Sequence, residues 1–583
     1  MIGSFGVTHL VGSAQADPIY LDMLARAGIG FHYQPYGHYA AVHTLPQEQG
    51  AAQAWLAGWA QRLEAFPAFD GLSYHDLQVQ AWGGWWDAPR KPYYEKTYWP
   101  KWAAEAPVPA SVPEDRRGNW ATAWAIQSML TRMYARLNAA VAYANASLQR
   151  TTQQWWHQPL YIASPDDVCK GQTLITAQHM EEQYYHPVTV ANMTDLWRRP
   201  GMDIWVYGNC SWQEDGSGAL MYTDLMAALF RGVQGAGRNQ IPRVGDVQSE
   251  LSTRAATAAF RMLHVYGGLS AAGEARDQLA VWRSMYEECA EYPGRRTEDK
   301  HMANMAAAYT ACLYAHRTAG IVTDDLVRQG RLKDYKAVIV SFELPLPEDL
   351  LKPLREFQDA GGIVLANKPA GGYWAPPGAV ELGPAFRKSH AMSEFNRDSQ
   401  RHIGVEEDGL AGAAMILKAL DDKVDPFVDC DDPTTWLSVL ASGKASYVWA
   451  VNVKRLPQAP MDLHRYSGYE NTRLPAQVPL RIRKGDYVVY DVLAGKQVQP
   501  REEGGKFVVT ADMSVFPGAI FALLPRPIER VRLQARADAS TLTLRACLGR
   551  TPGDLIDAAV PMEITVVDAR GAVRFHLYRT TEG

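Results

Sequence analysis

Short apolar segments alternate with longer amphipathic ones over residues 1–275, and this order limits the possible fold more than any other feature of the chain. GVTHLVG precedes DPIYLDMLARAG, IGFHYQPYG precedes QGAAQAWLAGWAQRLEAF, and GVQGAG precedes STRAATAAFRMLHVYGG. About seven such units can be counted. Strict alternation of strand and helix predicts a parallel sheet, and at this length a (β/α) barrel is its expected form.

A complete (β/α)8-type barrel needs eight strands, one more than the pattern provides. GVTHLVG has the character of a second strand that follows a first one. Two interpretations stay open. Either the barrel is incomplete because the sequence begins after its first strand, or the first strand lies within MIGSFGV and the barrel is irregular.

The chain after the barrel divides into three further parts. Residues 276–400 contain strand YKAVIVSF, helix PEDLLKPLREFQDAGG and strand IVLANKPAGG, which predict a flavodoxin-like doubly wound sheet; helix KHMANMAAAYTACLYAHRTAG should end at Gly320. Residues 401–526 alternate in period two between Gly and Asp turns, as in a β-sandwich. A further β-domain begins at 527, and its few strands cannot close a sandwich, so the chain is also expected to be truncated at its C-terminus.

Composition excludes several classes of protein. The net charge of -5 argues against a nucleic-acid surface, and no apolar run is long enough for a membrane span. Six scattered cysteines without a CxxC pair are expected to be buried apolar residues. MIGSFGVTHLVGSAQADP lacks the features of a signal peptide, so localisation stays open; a periplasmic or extracellular protein is expected if a signal peptide precedes it.

The stretch VRQGRLKDYKAVIVSFELPLPEDLLKPLREFQDAGGIVLANKPAGG resembles the trimerisation domain of family 42 β-galactosidases, which belong to glycoside hydrolase clan A. The shared pattern is Leu-x-x-Tyr before a strand, a Pro-rich turn, a helix, then Gly-Gly and an apolar strand. In that family a catalytic barrel precedes this domain and a small β-domain follows it, which matches residues 1–525. The resemblance implies a glycosidase with a carbohydrate substrate, no cofactor, no nucleic-acid or membrane partner, and a homo-oligomeric assembly.

The resemblance also implies two catalytic carboxyl groups, at the ends of the fourth and seventh barrel strands. With one strand missing at the front, GLSYHDL is the fourth strand and MDIWVYGN the seventh. Asp76 then stands at the general-acid position, where the family has Asn-Glu and this chain has His75-Asp76. Its expected partner is Glu214, with Glu181 and Glu182 near the sixth strand as rivals. The alternative for each is a solvated loop carboxylate.

The positions of the aromatic residues also indicate a site at this end of the barrel. Fourteen of the 18 tryptophans lie in residues 1–213, many of them in loop-like stretches, and aromatic faces bind the apolar C–H face of a sugar. Trp82, Trp85 and Trp86 are predicted to contact ligand, whereas helically spaced tryptophans such as Trp124 are expected in the core. The expected substrate-binding residues are His32, Gln34, Tyr36, His38, His75, Trp82, Trp85, Trp86, Trp205, Asn209 and Trp212.

Three other functions were weighed against this one. A barrel without the expected Glu residues would be a catalytically inactive carbohydrate-binding or assembly protein. A metal-dependent hydrolase would use histidines at strand ends, although no HxH or HExxH spacing occurs; these histidines are His9, His32, His38, His75, His179 and His186. A glutamine amidotransferase needs a nucleophilic Cys in a tight strand-to-helix turn, and neither Cys289 nor Cys312 occupies one.

Overall fold

The structure is a computed structural model that describes part of the residues of the chain. These are residues 9–12, 18–33, 69–74, 99–125, 149–155, 173–179, 194–199, 202–208, 225–238, 247–291, 300–367, 374–382, 401–454, 474–538, 541–549 and 555–581, together with positions 54, 57, 58, 61, 96, 128, 139, 142, 169 and 191.

The first part of the chain forms a seven-stranded sheet in which every neighbouring pair is parallel and the strands follow one another in sequence order. The expected parallel pairing is therefore observed. The strands are β1 (His9–Gly12), β2 (Gly30–Tyr33), β3 (Phe69–Tyr74), β4 (Gln149–Trp155), β5 (Leu174–His179), β6 (Asp203–Gly208) and β7 (Gly235–Arg238). Helix α1 (Pro18–Arg26) joins β1 to β2, α2 (Trp99–Ala103) lies between β3 and β4, and α3 (Val247–Ala271) follows β7.

Strand β4 differs from the sequence prediction. The segment NWATAWAIQSMLTRMYARLNAAVAYANASLQ has a helical pattern up to Gln149, which predicts that the next strand is PLYIASPD, but β4 begins at Gln149 with the sequence QRTTQQW. The segment is almost wholly polar, so it has no apolar alternation to reveal it, although Thr and Trp favour extended backbone. The residues of PLYIASPD lie outside the described part of the chain.

The sheet curls until β2 and β6 face each other. The rings of His32 on β2 and Trp205 on β6 stack with centroids 5.0 Å apart and an interplanar angle of 21°. These strands are four positions apart in the sheet. In a flat sheet, strands spaced by about 4.8 Å would place them about 19 Å apart. The contact therefore requires strong curvature.

The strand register provides a second measure of this curvature. Followed through β3, β4 and β5, the register that starts at Tyr33 arrives at Met202, just before β6. Met202 is three residues before Trp205 and His32 is one residue before Tyr33, so the two stacked residues are offset by four positions in register. A closed eight-stranded barrel with a shear of eight shifts by about four residues over half its circumference. The observed offset matches that geometry.

A second sheet, also all parallel, follows. Its strands lie in the order β10-β9-β11-β12-β13, the 2-1-3-4-5 order of doubly wound folds. Strand β8 (Glu274–Ala275) precedes it and pairs elsewhere; the sheet itself consists of β9 (Leu279–Arg283), β10 (Ala319–Thr323), β11 (Ala337–Val340), β12 (Ile363–Asn367) and β13 (Val380–Leu382). The helices are α4 (Met285–Glu291), α5 (Lys300–Tyr314), α6 (Asp324–Arg328), α7 (Glu348–Asp359) and α8 (Arg401–Leu420), and residues Arg331–Asp334 form a 3-10 turn.

Two helices of this part depart from the prediction, both at glycines. Helix α5 ends at Tyr314 rather than at Gly320, which lies inside β10. The glycine leaves room for Tyr335, since a Cβ at position 320 would be 2.7 Å from the Tyr335 hydroxyl. Helix α8 was not predicted, since its glycines weaken a helical pattern. One of them, Gly409, is needed for packing: a Cβ at this position would lie 2.5 Å from the ring of Tyr314 on α5.

The next part consists mostly of antiparallel strands, arranged in two sheets that share a hydrophobic core. One sheet has the order β14-β17-β21-β20 and the other β19-β18-β22-β16-β15-β8, so that β8 ties the end of the first part to this one. The strands are β14 (Val428–Asp429), β15 (Thr435–Ser442), β16 (Ala445–Asn452), β17 (Gln477–Arg483), β18 (Val488–Asp491), β19 (Lys496–Val498), β20 (Arg501–Glu503), β21 (Lys506–Asp512) and β22 (Gly518–Leu524).

Two antiparallel hairpins follow. They are formed by β23 (Val531–Ala537) with β24 (Leu542–Leu548), and by β25 (Pro561–Val567) with β26 (Val573–Thr580). The second hairpin packs on α3, where the ring of Tyr578 meets His264 edge to face at 6.0 Å. Within the described residues, no helix has the length and apolar character needed to cross a membrane.

A buried arginine joins the three main parts of the molecule. Arg231, before β7, is completely buried and donates to Asp195 and to Asp277, each at 2.7 Å. It also donates to the Ser438 hydroxyl on β15 at 3.2 Å. Tyr309 on α5 donates its hydroxyl to Asp195. Burial opposes the guanidinium charge, but the two carboxylates outweigh it and raise the pKa of Arg231 well above its usual value.

Candidate active site

Two of the predicted site residues have described side chains, and the structure brings these two together. His32 and Trp205 form the ring pair between β2 and β6. The other predicted residues lie outside the described part of the chain: Gln34, Tyr36, His38, His75, Asp76, Trp82, Trp85, Trp86, Glu181, Glu182, Asn209, Trp212 and Glu214. Their roles stay predictions.

A glycine on the neighbouring strand makes room for each ring. The register places Gly71 on β3 opposite His32, and Gly235 on β7 opposite Trp205. A Cβ at Gly71 would lie 2.7 Å from Cδ2 of His32, and one at Gly235 would lie 2.6 Å from Cδ1 of Trp205. Sequence analysis missed both glycines, although a glycine inside a strand is a known sign of close approach.

The two stacked rings differ in their exposure to solvent. His32 is fully buried, whereas Trp205 is partly exposed. A buried imidazole behind a partly exposed indole fixes the indole plane, because the stacked ring removes rotamers that would tilt it. The arrangement provides a rigid aromatic surface inside the curled sheet.

Replacing either glycine by alanine is expected to destabilise the first part of the chain. The added methyl must displace a ring in a packed interior, which costs about 1–3 kcal/mol in the free energy of unfolding. Urea denaturation of Gly71→Ala and Gly235→Ala measures this. The control is Gly118→Ala, since nothing lies within 4 Å of a Cβ at that helical position; a Gly71→Ala variant as stable as this control would show that the ring is not where the structure places it.

The carboxyl ends of β3 and β6 lie at the same edge of the sheet, and two of the remaining candidates follow these strands in the sequence. Strand β3 ends at Tyr74, two residues before Asp76, and β6 ends at Gly208, six residues before Glu214. Parallel strands all present their carboxyl ends at the same edge, where barrel enzymes have their sites. Asp203, whose pKa is raised by partial burial, begins β6 at the opposite edge, so we do not assign it to the site.

The described residues offer little for metal or thiol chemistry. Among the described side chains, no group of three His, Cys, Asp or Glu residues is arranged to hold a metal ion; apart from His32, the histidines considered for such a site have no described side chain. Cys289 and Cys312 are buried, and burial raises the pKa of both thiols. Both are therefore poor nucleophiles, in agreement with the argument against an amidotransferase.

Solved structures that share this fold include glycoside hydrolases. A β-galactosidase from Bacillus circulans sp. alkalophilus superposes with a TM-score of 0.59 at 10% identity, covering 90% of this chain and 95% of that chain. Gan42B, a family 42 β-galactosidase from G. stearothermophilus, gives 0.58 at 10% identity over 90% and 94% of the two chains. An α-L-fucosidase from Paenibacillus thiaminolyticus gives 0.58 at 10% identity over 86% and 88%.

The chain therefore has the fold of family 42 β-galactosidases, which confirms, at the level of the fold, the resemblance seen in residues 327–372. No protein family model matches the sequence, and no curated protein sequence matches it. The fold is thus shared at identities too low for the activity to be inferred from the similarity alone.

Proposed function

We propose that the protein is a glycoside hydrolase that cleaves β-linked glycosides, as β-galactosidases do, through a pair of carboxyl groups. The observation that carries this proposal is the similarity to β-galactosidases over about nine-tenths of both chains, which extends well beyond residues 1–275. Residues 1–275 are the catalytic domain, 276–400 a trimerisation-type domain that supports a homo-oligomer, 401–526 a β-sandwich, and 527–583 a further β-domain.

The catalytic domain is proposed to be a (β/α)8-type barrel. The sequential parallel order, the stacking of His32 on Trp205 and the register offset of four residues all support a sheet curled to that degree. If β1 is the second strand of such a barrel, β3 is the fourth and β6 the seventh. These are the strands whose ends carry the catalytic pair in the clan that the fold resembles.

Asp76 is the proposed general acid, which protonates the oxygen of the leaving group. Glu214 is the proposed partner that attacks or stabilises the anomeric carbon, with Glu181 and Glu182, shortly after the end of β5, as the other candidates. A separation of about 5–5.5 Å between the two carboxyl groups would lead to retention, and about 6.5–9.5 Å to inversion.

The sugar is proposed to rest against aromatic faces. Trp205 supplies a fixed indole inside the barrel, and Trp82, Trp85 and Trp86 follow the strand that bears the proposed acid. Both β-galactosidases and an α-L-fucosidase share the fold, so the fold alone fixes neither the sugar nor its anomeric configuration. Galactose is the first choice because most of the similar structures are β-galactosidases.

A second candidate function rests on one feature of the sequence. The chain has His75-Asp76 where the resembled family has Asn-Glu, and the shorter side chain would place its carboxyl about one bond further from the substrate. A protein of this kind would bind carbohydrate or support assembly without hydrolysing the glycosidic bond.

A panel of 4-nitrophenyl glycosides distinguishes the two functions. We expect hydrolysis of the β-D-galactoside, with slower hydrolysis of the β-D-fucoside and none of the α-D-galactoside. Isothermal titration with galactose and lactose is carried out on the same protein. Binding without hydrolysis of any panel member would favour the binding protein, and neither binding nor hydrolysis would contradict both functions.

A further inference from the structure

The crevice at the carboxyl end of the doubly wound sheet is filled by its own side chains. It lies between β9 and β11, the switch point at which such sheets usually bind ligands. His301 accepts the backbone N–H of Ser284 at 2.9 Å and approaches the Ser341 carbonyl at 3.1 Å through its other ring nitrogen. Glu287 accepts the backbone N–H groups of Glu343 and Leu344, at 3.1 and 3.2 Å. The crevice is therefore occupied by side chains of the domain itself.

A segment of the first domain covers this crevice. We call residues 106–125 the strap; its helical part is 114–125. Val112, Trp120 and Ala123 of the strap are buried in the same apolar cluster as Trp282 and Phe342 of the doubly wound domain. The strap is therefore part of the core of a domain that begins about 150 residues later in the chain.

Polar contacts fix the strap in one position. Trp120 donates its indole N–H to the backbone carbonyl of Tyr286 at 3.2 Å, and the Tyr286 hydroxyl lies 2.6 Å from the Ser111 hydroxyl. Arg116 lies 3.7 Å from the buried carboxylate of Glu343. Apolar packing alone would allow the strap to slide, whereas these directional contacts define its register on the crevice.

The position of the strap in the chain gives it a second role. It lies between β3 and β4, the neighbouring strands of the curled sheet, on the connection that leaves β3 at its carboxyl end. The strap lies in the middle of this connection, which runs from residue 75 to residue 148, so contacts that hold the strap also restrain the connection. The doubly wound domain is thus attached to the chain segment that begins at the carboxyl end of β3, where the proposed site lies.

We propose that the filled crevice is a docking site for the strap, and that Tyr286, acting through Ser111 and Trp120, is a positioning residue for the β3–β4 edge of the catalytic domain. This rests on the proposed function only for its effect on substrate. The doubly wound domain then contributes to the neighbouring site through a mechanical attachment, without supplying a group that touches the sugar.

The test uses conservative variants of the full chain. Tyr286→Phe and Ser111→Ala each remove one hydrogen bond and keep the apolar packing, so amide hydrogen exchange in residues 106–124 should quicken about fivefold. The same variants should quicken exchange in β3 and β4. For a hydrolysed aryl glycoside, KM should rise about threefold, the scale of a partial loss of one hydrogen bond, with kcat within about twofold.

The matched control is Tyr335→Phe, which also removes a tyrosine hydroxyl from the doubly wound domain. Tyr335 lies just before β11, at the amino ends of the strands rather than at their carboxyl ends. This control should leave exchange in β3 and β4, and KM, unchanged. In the double variant of Ser111 and Tyr286, the effect should equal that of either single change, because both remove the same bond.

The outcomes separate this proposal from the proposed function. Quickened exchange in β3 and β4 in the strap variants, but not in Tyr335→Phe, supports the docking site even if no glycoside is hydrolysed. Exchange in β3 and β4 at the level of the control overturns it, whatever the activity. If hydrolysis occurs and exchange quickens while KM stays at the control value, the crevice holds the strap without positioning the site, and the positioning role is wrong.

Discussion

Asp76→Asn is expected to reduce kcat for glycosides with poor leaving groups by about 100-fold or more, the usual contribution of general acid catalysis. Asparagine has nearly the same shape but cannot transfer a proton to the departing oxygen. Sugar binding should stay close to that of the parent, because the amide keeps its hydrogen-bonding capacity. The measurement is kcat on lactose and on 4-methoxyphenyl β-D-galactoside, with galactose affinity by calorimetry.

The leaving group provides the internal control for this prediction. The leaving group of a 2,4-dinitrophenyl galactoside is a phenolate that departs without protonation. Asp76→Asn should therefore reduce kcat much less on this substrate than on the methoxyphenyl galactoside. Asp22→Asn on the exposed face of α1 serves as the neutral substitution. The second carboxyl group is identified with the parallel variants Glu214→Gln, Glu181→Gln and Glu182→Gln. The variant that removes the true partner of Asp76 should have a reduced kcat on both substrates. Equal turnover by Asp76→Asn and the parent would exclude Asp76 as the acid.

Arg231→Met is expected to lower the free energy of unfolding by about 3–5 kcal/mol, the cost of breaking a buried ion pair by removing one partner. The guanidinium lies between Asp195 and Asp277 and is completely buried. Methionine fills a similar volume but removes the buried cation that both carboxylates share, and Asp195 keeps, as a cationic partner, its longer contact with the partly exposed Arg198. Thermal and urea denaturation measure the loss.

The control for this prediction is Arg198→Met. Arg198 also pairs with Asp195, at 3.4 Å, but its side chain is 30% exposed, so its removal should cost no more than about 1 kcal/mol. Combining Arg231→Met with Asp195→Asn and Asp277→Asn should recover most of the stability, because neither buried carboxylate is then left without its cation, and Arg198, which loses its partner, is partly exposed. A single Arg231→Met variant as stable as Arg198→Met would contradict the role given to this network.

The sequence predicts elements well where apolar periodicity is strong. The strands β11 and β12 and helix α7 lie where their patterns predict, since each has a continuous apolar run or a clear helical face. The prediction fails where tertiary packing, rather than local periodicity, determines the secondary structure. Strand β4 is polar, and helix α8 carries glycines whose purpose, such as the fit of Gly409 against Tyr314, is visible only once both helices are placed.

The same difference between local pattern and packing applies to the prediction of tertiary contacts. Trp124 is expected in a core from its helical spacing; it is partly buried and packs against the core of the doubly wound domain, because helical spacing carries no information about which core a face will meet. Likewise, His32 and Trp205 were selected as residues on separate strand ends, and their contact depends on a curvature that no local pattern encodes. The proposed acid and its partner are still known only from their places in the sequence.

The ring pair has a consequence for how this family of sequences can vary. Each glycine is fitted to the ring beside it, and each ring is fitted to the other across the sheet. A larger side chain at Gly71 is therefore tolerated only with a smaller one at His32, which in turn leaves a gap against Trp205 and Gly235. The four positions should change together in related sequences, as a linked set with a measurable coupling energy, rather than one at a time.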